Sequence, residues 1–216
     1  MNLKSELRCT LLSDGSSDKV LVQILDWAVR QHLTDIPPLV RFGDLRKLPN
    51  PPKTLKRRIQ AVLRYYPCDI LFVHRDAEKD TIEARENEIA EACHDLENIT
   101  FGRNAVAVIP VRMTEAWLLF DAESIKIAAD NPNYRGNLSL PSHQRIERLP
   151  NPKATLYELI KSASNLRGRK LAKLKIPERV HVLADRIEDF SPLRQLPAFQ
   201  KLEEDIKNTL TNYLSL

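Results

Sequence analysis

The sequence predicts an α/β protein, with a mostly parallel β-sheet carrying helices on both faces and a helical cap behind it. Three observations predict it. Short apolar, β-prone runs alternate with segments of helical periodicity through residues 1–125, as parallel strands joined by crossover helices require. The run Ile70 to Val73 is apolar throughout, which suits a strand buried on both faces. That run ends abruptly in charge, and ligands of open α/β sheets collect outside such strand ends.

The first strand is Cys9 to Leu12. Ser13 to Asp18 then mixes turn residues with N-cap residues, and Val20, Leu21, Ile24, Leu25, Ala28 and Val29 recur at helical spacing. Leu39 to Phe42 predicts a second strand. Prolines break 45–52 into a loop, and Lys53 to Tyr66 reads as a basic helix with Leu55, Ile59, Val62 and Leu63 inward and Lys56, Arg57, Arg58 and Arg64 largely outward. A strand at Asp69 to His74 follows. A charged helix comes next, from Lys79 to Leu96, then a strand at Ala105 to Pro110 and a short apolar helix from Thr114 to Phe120. The pattern changes after Asp121. Residues 131–152 are rich in Pro, Asn and Ser and predict an insert. Beyond it only helical segments are found, at Lys153–Ser164, Glu178–Ile187 and Ala198–Leu214. Residues 126–216 are therefore expected to cap the α/β part as one compact unit with it.

Composition narrows the function classes. With 216 residues, 43% of them hydrophobic, the chain can bury a substantial core. Lys and Arg outnumber Asp and Glu by 33 to 29, a net charge of +4 that suits nucleic acid or an ordinary solvated basic surface equally. Cys9, Cys68 and Cys93 are scattered, without metal-ligand spacing, and read as reduced thiols of a cytoplasmic protein. No apolar run approaches the ~20 residues that span a bilayer, and the segment MNLKSELR lacks a signal-peptide core, so no membrane association is expected. No Walker A loop, GxGxxG, GxSxG or HExxH occurs, and with five glycines in all a glycine-rich phosphate cradle is excluded.

Four groups of residues carry possible chemistry. Asp14, Gly15 and Asp18 follow the first strand; the acids either sit near a helix N-terminus capped by Ser16 or Ser17, where they are favoured, or form a carboxylate site at the sheet edge, with Gly15 easing the turn. Asp76 and Glu78, spaced i, i+2 with Asp80 nearby, are either an acidic turn or oxygen ligands for a hard cation such as Mg²⁺. His74 is a possible ligand or a packed residue, and Arg75 a phosphate contact or a partner of Asp76. Glu115, beside Trp117 and Leu118, is either a partly desolvated acid/base with a raised pKa or a first-turn acid on the helix dipole. The basic residues Arg46, Lys47, Lys53, Lys56, Arg57 and Arg58, with Arg167, Arg169, Lys170, Lys173 and Lys175, are solvated faces or phosphate contacts. Aromatics, at 6%, do not interleave with them, so base stacking is disfavoured.

Taken in order, these motifs resemble the TOPRIM fold of topoisomerases and primases. An acid and a following glycine after strand one match Asp14 and Gly15, and an acidic pair after a later strand matches Asp76 and Glu78. More closely, the chain resembles a family of small bacterial TOPRIM-like proteins. The match includes a strand ending in Pro, the block Glu115 to Asp121, the Pro-Lys step at Asn151 to Lys153, and the stretch Leu193 to Leu202. This chain has Asp14 where TOPRIM enzymes usually carry Glu, and Glu78 where they carry Asp.

The resemblance implies a Mg²⁺- or Mn²⁺-dependent nuclease acting on DNA or RNA, with Asp14, Asp76 and Glu78 holding metal and Asp14 or Glu115 as acid/base. Arg75, Lys56, Arg57, Arg167, Arg169 and Lys170 are the expected nucleic-acid contacts. It also implies an anti-phage effector beside an ABC-type ATPase. A catalytically degenerate module bound to such an ATPase is the competing expectation, and a small-molecule phosphotransfer enzyme a third.

Overall fold

The computed structural model describes residues 5–33, 35–94 and 104–215. Four strands, β1 (Leu7–Leu12), β2 (Pro38–Phe42), β3 (Ile70–His74) and β4 (Ala105–Val108), form one all-parallel sheet in the order β2-β1-β3-β4. Cys9 lies opposite Ile70, Leu12 opposite Val73 and His74 opposite Val108. Helix α1 (Leu21–Arg30) lies between β1 and β2, α2 (Leu55–Tyr65) between β2 and β3, and α3 (Ile82–His94) between β3 and β4. The expected end of this last helix, at Leu96, lies outside the described residues.

The period of two along each strand sorts the core into two layers. Leu7, Cys9, Leu11, Ile70, Phe72, Val106 and Val108 face α1 and the later helices. Leu12, Leu71 and Val73 face α2 and α3 through Ile59, Val62 and Ile89. All three cysteines are free and buried, and burial raises the pKa of each thiol.

The strand expected to reach Pro110 stops at Val108. Pro110 has no N–H for the ladder; its carbonyl instead accepts the Ala77 N–H at 3.1 Å. Thr114–Leu118 forms 3-10 turns rather than an α-helix. Asp121 explains the break, because its carboxylate accepts the Ser124 N–H at 3.0 Å and caps a new helix, α4 (Ala122–Ala128), which the sequence pattern did not reveal.

Turns and irregular structure fill 129–142, and the helices that follow are α5 (His143–Ile146), α6 (Pro152–Ser164), α7 (Gly168–Ala172), α8 (Ile176–Arg186) and α9 (Pro197–Leu214), with 3-10 turns at Ser191–Gln195. Helix α9 packs on β4 and α1, and α8 on α4 and α1. Trp117, fully buried, meets the ring of Phe199 edge-on at 5.6 Å, joining the turn after β4 to α9. Among the described residues, no helix is long and apolar enough to cross a membrane.

Candidate acidic site at the sheet edge

The order β2-β1-β3-β4 creates a switch point. The chain leaves β1 toward β2 on one side and leaves β3 toward β4 on the other, which opens a crevice beyond the carboxyl ends of β1 and β3. Asp14 lies two residues past β1. His74 ends β3, and Asp76 and Glu78 follow it. Asp14, Asp18, His74, Arg75, Asp76, Glu78 and Arg85 line one cleft of about 230 Å³. A larger cavity, about 860 Å³, lies elsewhere, beside the edge strand β4 between α3 and α9, and holds none of these residues.

His74 is the centre of the acidic cleft. It is 3% exposed, and its ring stands between two carboxylates. Nε2 lies 3.3 Å from Asp76 Oδ1 and Nδ1 lies 3.5 Å from Asp18 Oδ2. The second separation is an ion-pair contact rather than a well-formed hydrogen bond. Burial opposes the imidazolium, but Asp18 and Asp76 outweigh it and push the His74 pKa up to about 9. His74 is thus a cation at neutral pH. For Asp18, burial again opposes charge. His74, the Gly15 N–H at 3.1 Å and the Ser17 hydroxyl at 3.2 Å hold its carboxyl below the ordinary range. Gly15 thus serves Asp18 through its backbone. Its φ is not positive, and a Cβ there would meet only ordinary contact, 3.4 Å from Ser17 Oγ.

Asp14 is held differently. One carboxylate oxygen takes Arg58 and the other takes Arg75, while Arg58 also donates to the Ser13 carbonyl. Arg75 continues to Glu88 at 2.8 Å, Glu88 to Arg85 at 2.9 Å, and Arg85 to Asp80 at 2.9 Å. Glu78 sits at φ 52°, a left-handed conformation that costs a non-glycine residue about 1–3 kcal/mol and that recurs at functional sites.

Glu115 follows β4 but does not line the cleft. It is buried, with Lys153 Nζ 3.1 Å from its carboxylate. Its neighbour Thr114 reaches the site instead, with its hydroxyl 3.2 Å from His74 Nε2 and 3.4 Å from Asp76 Oδ1. Lys153 stands at the start of α6, whose N-cap Asn151 accepts the Ala154 N–H at 2.9 Å. Asp18 contributes to the raised pKa of Lys153, after burial, which lowers it, and Glu115, which raises it.

Of the expected basic contacts, Arg75 lines the cleft, whereas Lys56, Arg57, Arg167, Arg169 and Lys170 do not. Lys56 and Arg57 occupy the first turn of α2. Arg167, Arg169 and Lys170 are exposed around α7, which buries none of its residues. Arg58 is the basic residue that sequence reasoning turned outward and the structure turns in. The signal was present: Leu55, Arg58, Ile59 and Val62 share one helical face.

Among the described residues, no three His, Cys, Asp or Glu side chains form a ready-made metal-ligand group. The donor chemistry still suits Mg²⁺ or Mn²⁺. Asp14, Asp76 and Glu78 bring hard oxygens to one cleft, and Mg²⁺ takes one or two carboxylates and completes its shell with water. Asp76 and Glu78 would hold it, joined by Asp14 on release from its arginines. The four-stranded parallel sheet in the order 2-1-3-4, flanked by helices, is a Rossmann-type arrangement compatible with a TOPRIM-like fold. No protein-family model, no curated protein and no solved structure matches the chain.

Proposed function

We propose that this chain is a TOPRIM-type, Mg²⁺-dependent nuclease that cleaves the phosphodiester backbone of DNA or RNA. The observation that supports it is the meeting of Asp14, Asp76 and Glu78, from the turns after two neighbouring parallel strands, in one cleft at the switch point. When bound, Mg²⁺ or Mn²⁺ would polarise the scissile phosphate and lower the pKa of its water. The chain's own residues supply the rest. Asp76 and Glu78 offer the oxygen ligands, and His74 with Thr114 fixes the Asp76 carboxylate. Of the two expected acid/base residues, Asp14 lines the cleft and Glu115 does not, so the role falls to Asp14. Arg58 and Arg75 neutralise phosphate charge. The order of short motifs supports membership of the small bacterial TOPRIM-like family. With it come a cytoplasmic setting, an anti-phage effector role and an ABC-type ATPase partner.

A second reading has its own support. Both carboxylate oxygens of Asp14 are occupied by arginines, and this residue is Asp where the family carries Glu. A degenerate TOPRIM module that binds without cleaving, as a subunit of an ATPase-containing complex, fits that arrangement. The two are separated by incubating labelled single- and double-stranded DNA and RNA with the chain, with and without such an ATPase. The nuclease reading expects cleavage that needs Mg²⁺ or Mn²⁺, stops with EDTA and is lost in Asp76→Ala. Cleavage that survives Asp76→Ala removes this site from the reaction. Stable binding without cleavage in every combination favours the module.

A further inference from the structure

A second cleft, of about 220 Å³, opens at the same edge of the sheet, between the turns that follow β1 and β2. It shares Asp14 with the acidic cleft. Neighbouring strands lie about 4.8 Å apart, so a group bound here sits beside the acidic cleft.

The charged walls of this cleft are Asp14, Asp44, Arg46, Lys53 and Arg58. Two of the three cations already face carboxylates. Arg46 Nε and Nη2 each lie 2.8 Å from the Asp44 carboxylate, and Arg58 meets Asp14. Lys53 is exposed and, among the described residues, no carboxylate pairs with it. The cleft therefore carries an excess positive charge. Arg58, its side chain 16% exposed, donates to the Ser13 carbonyl as well as to Asp14.

The neighbouring helix begins at the cleft. Pro51, Pro52 and Lys53 lead from it into α2, whose first turn holds no acid. A helix start favours negative charge, so an anion in the cleft meets the favourable end of α2.

We propose that this cleft binds a backbone phosphate of a nucleic-acid strand through Lys53 and Arg58, while an adjoining phosphodiester of the same strand lies over Asp14, Asp76 and Glu78. The inference rests on the nuclease reading for the class of ligand, but its test needs no cleavage.

Binding of short fluorescein-labelled single-stranded DNA and RNA is measured in EDTA across a salt series. The proteins are the wild type, Lys53→Ala, Lys53→Glu and, as a charge-matched control on the exposed face of α9, Lys207→Ala. Lys53→Ala is expected to weaken binding about three- to tenfold for all sequences alike and to reduce the slope of log affinity against log salt by about one. Lys53→Glu weakens it further, and Lys207→Ala leaves it unchanged. If the wild type binds and both Lys53 variants keep its affinity and slope, the phosphate cleft is overturned and the nuclease reading stands. If Lys207→Ala weakens binding as much as Lys53→Ala, the affinity is diffuse surface charge and the cleft is no site. A wild type that binds neither nucleic acid overturns both.

Discussion

A buried imidazole stays protonated only if carboxylates hold it, and His74 has Asp18 on one side and Asp76 on the other. Its folded pKa of about 9 exceeds the unfolded value of 6.5, so the stability it contributes is fully present below 6.5 and is lost as pH rises through 9. Asp18 acts at the opposite end. Its folded pKa lies below its ordinary 3.8, so its contribution is present above that value and is lost as pH falls through the folded one. Thermal melts in EDTA should therefore show a midpoint that declines between about pH 6.5 and 9. His74→Gln should lower stability at pH 6 by about 3–5 kcal/mol, as leaving buried charge unpaired does, and flatten that decline. An unchanged slope in His74→Gln would remove the histidine from the account. At this scale the sequence was partly legible. Asp14, Asp76 and Glu78 could be read because each follows an apolar strand. The Asp18–His74–Asp76 arrangement could not, because His74 and Asp18 lie on different elements and only the β1–β3 pairing brings them together. Arg58 was legible in principle, from the face it shares with Ile59 and Val62.

The elements that carry these residues depend on close backbone packing at the carboxyl end of the sheet. Gly43 shows why. Its N–H donates to the Leu11 carbonyl at 2.8 Å, and a Cβ there would come within 2.5 Å of Val62 Cγ2 and 3.1 Å of Thr10 Cγ2. Val62 is fully buried and β-branched, so it cannot swing aside. Gly43→Ala should cost about 1–3 kcal/mol in chemical denaturation by forcing α2 away from the sheet. A neutral result would mean that α2 is not packed against this turn. The cap of the same helix is weaker: Thr54 Oγ1 accepts the Arg57 N–H at 3.4 Å, so Thr54→Ala should cost no more than about 0.5–1 kcal/mol. The strands and crossover helices were legible because apolar, β-prone runs and helical spacing are strong local signals, whereas the order of the strands in the sheet was not. The turns at Thr114–Leu118 and helix α4 were not. Their boundary is set by one carboxylate, Asp121, whose capping bonds periodicity does not report.

The α/β layer and the later helices share one apolar core on the α1 face of the sheet, running from Leu7 and Phe72 to Leu183, Phe199 and Leu210. Phe199 is fully buried against Trp117 and Trp27. Phe199→Ala should destabilise the molecule by about 3–5 kcal/mol and keep a single unfolding transition by circular dichroism and tryptophan fluorescence alike. Two separated transitions would show that the helical part folds apart from the sheet. This shared core also supports the site. The turn containing Thr114 and Trp117 brings one residue to His74 and the other to α9, so the helical layer braces the acidic edge. The proposed nuclease needs a divalent cation at this edge. A crystal structure of the wild-type chain soaked in Mn²⁺ and read by anomalous scattering checks for it. The expected result is an anomalous peak among Asp14, Asp76 and Glu78, with Arg58 and Arg75 drawn back from Asp14. Saturating Mn²⁺ with no peak there, and both arginines still on Asp14, would rule out metal-dependent chemistry at this edge.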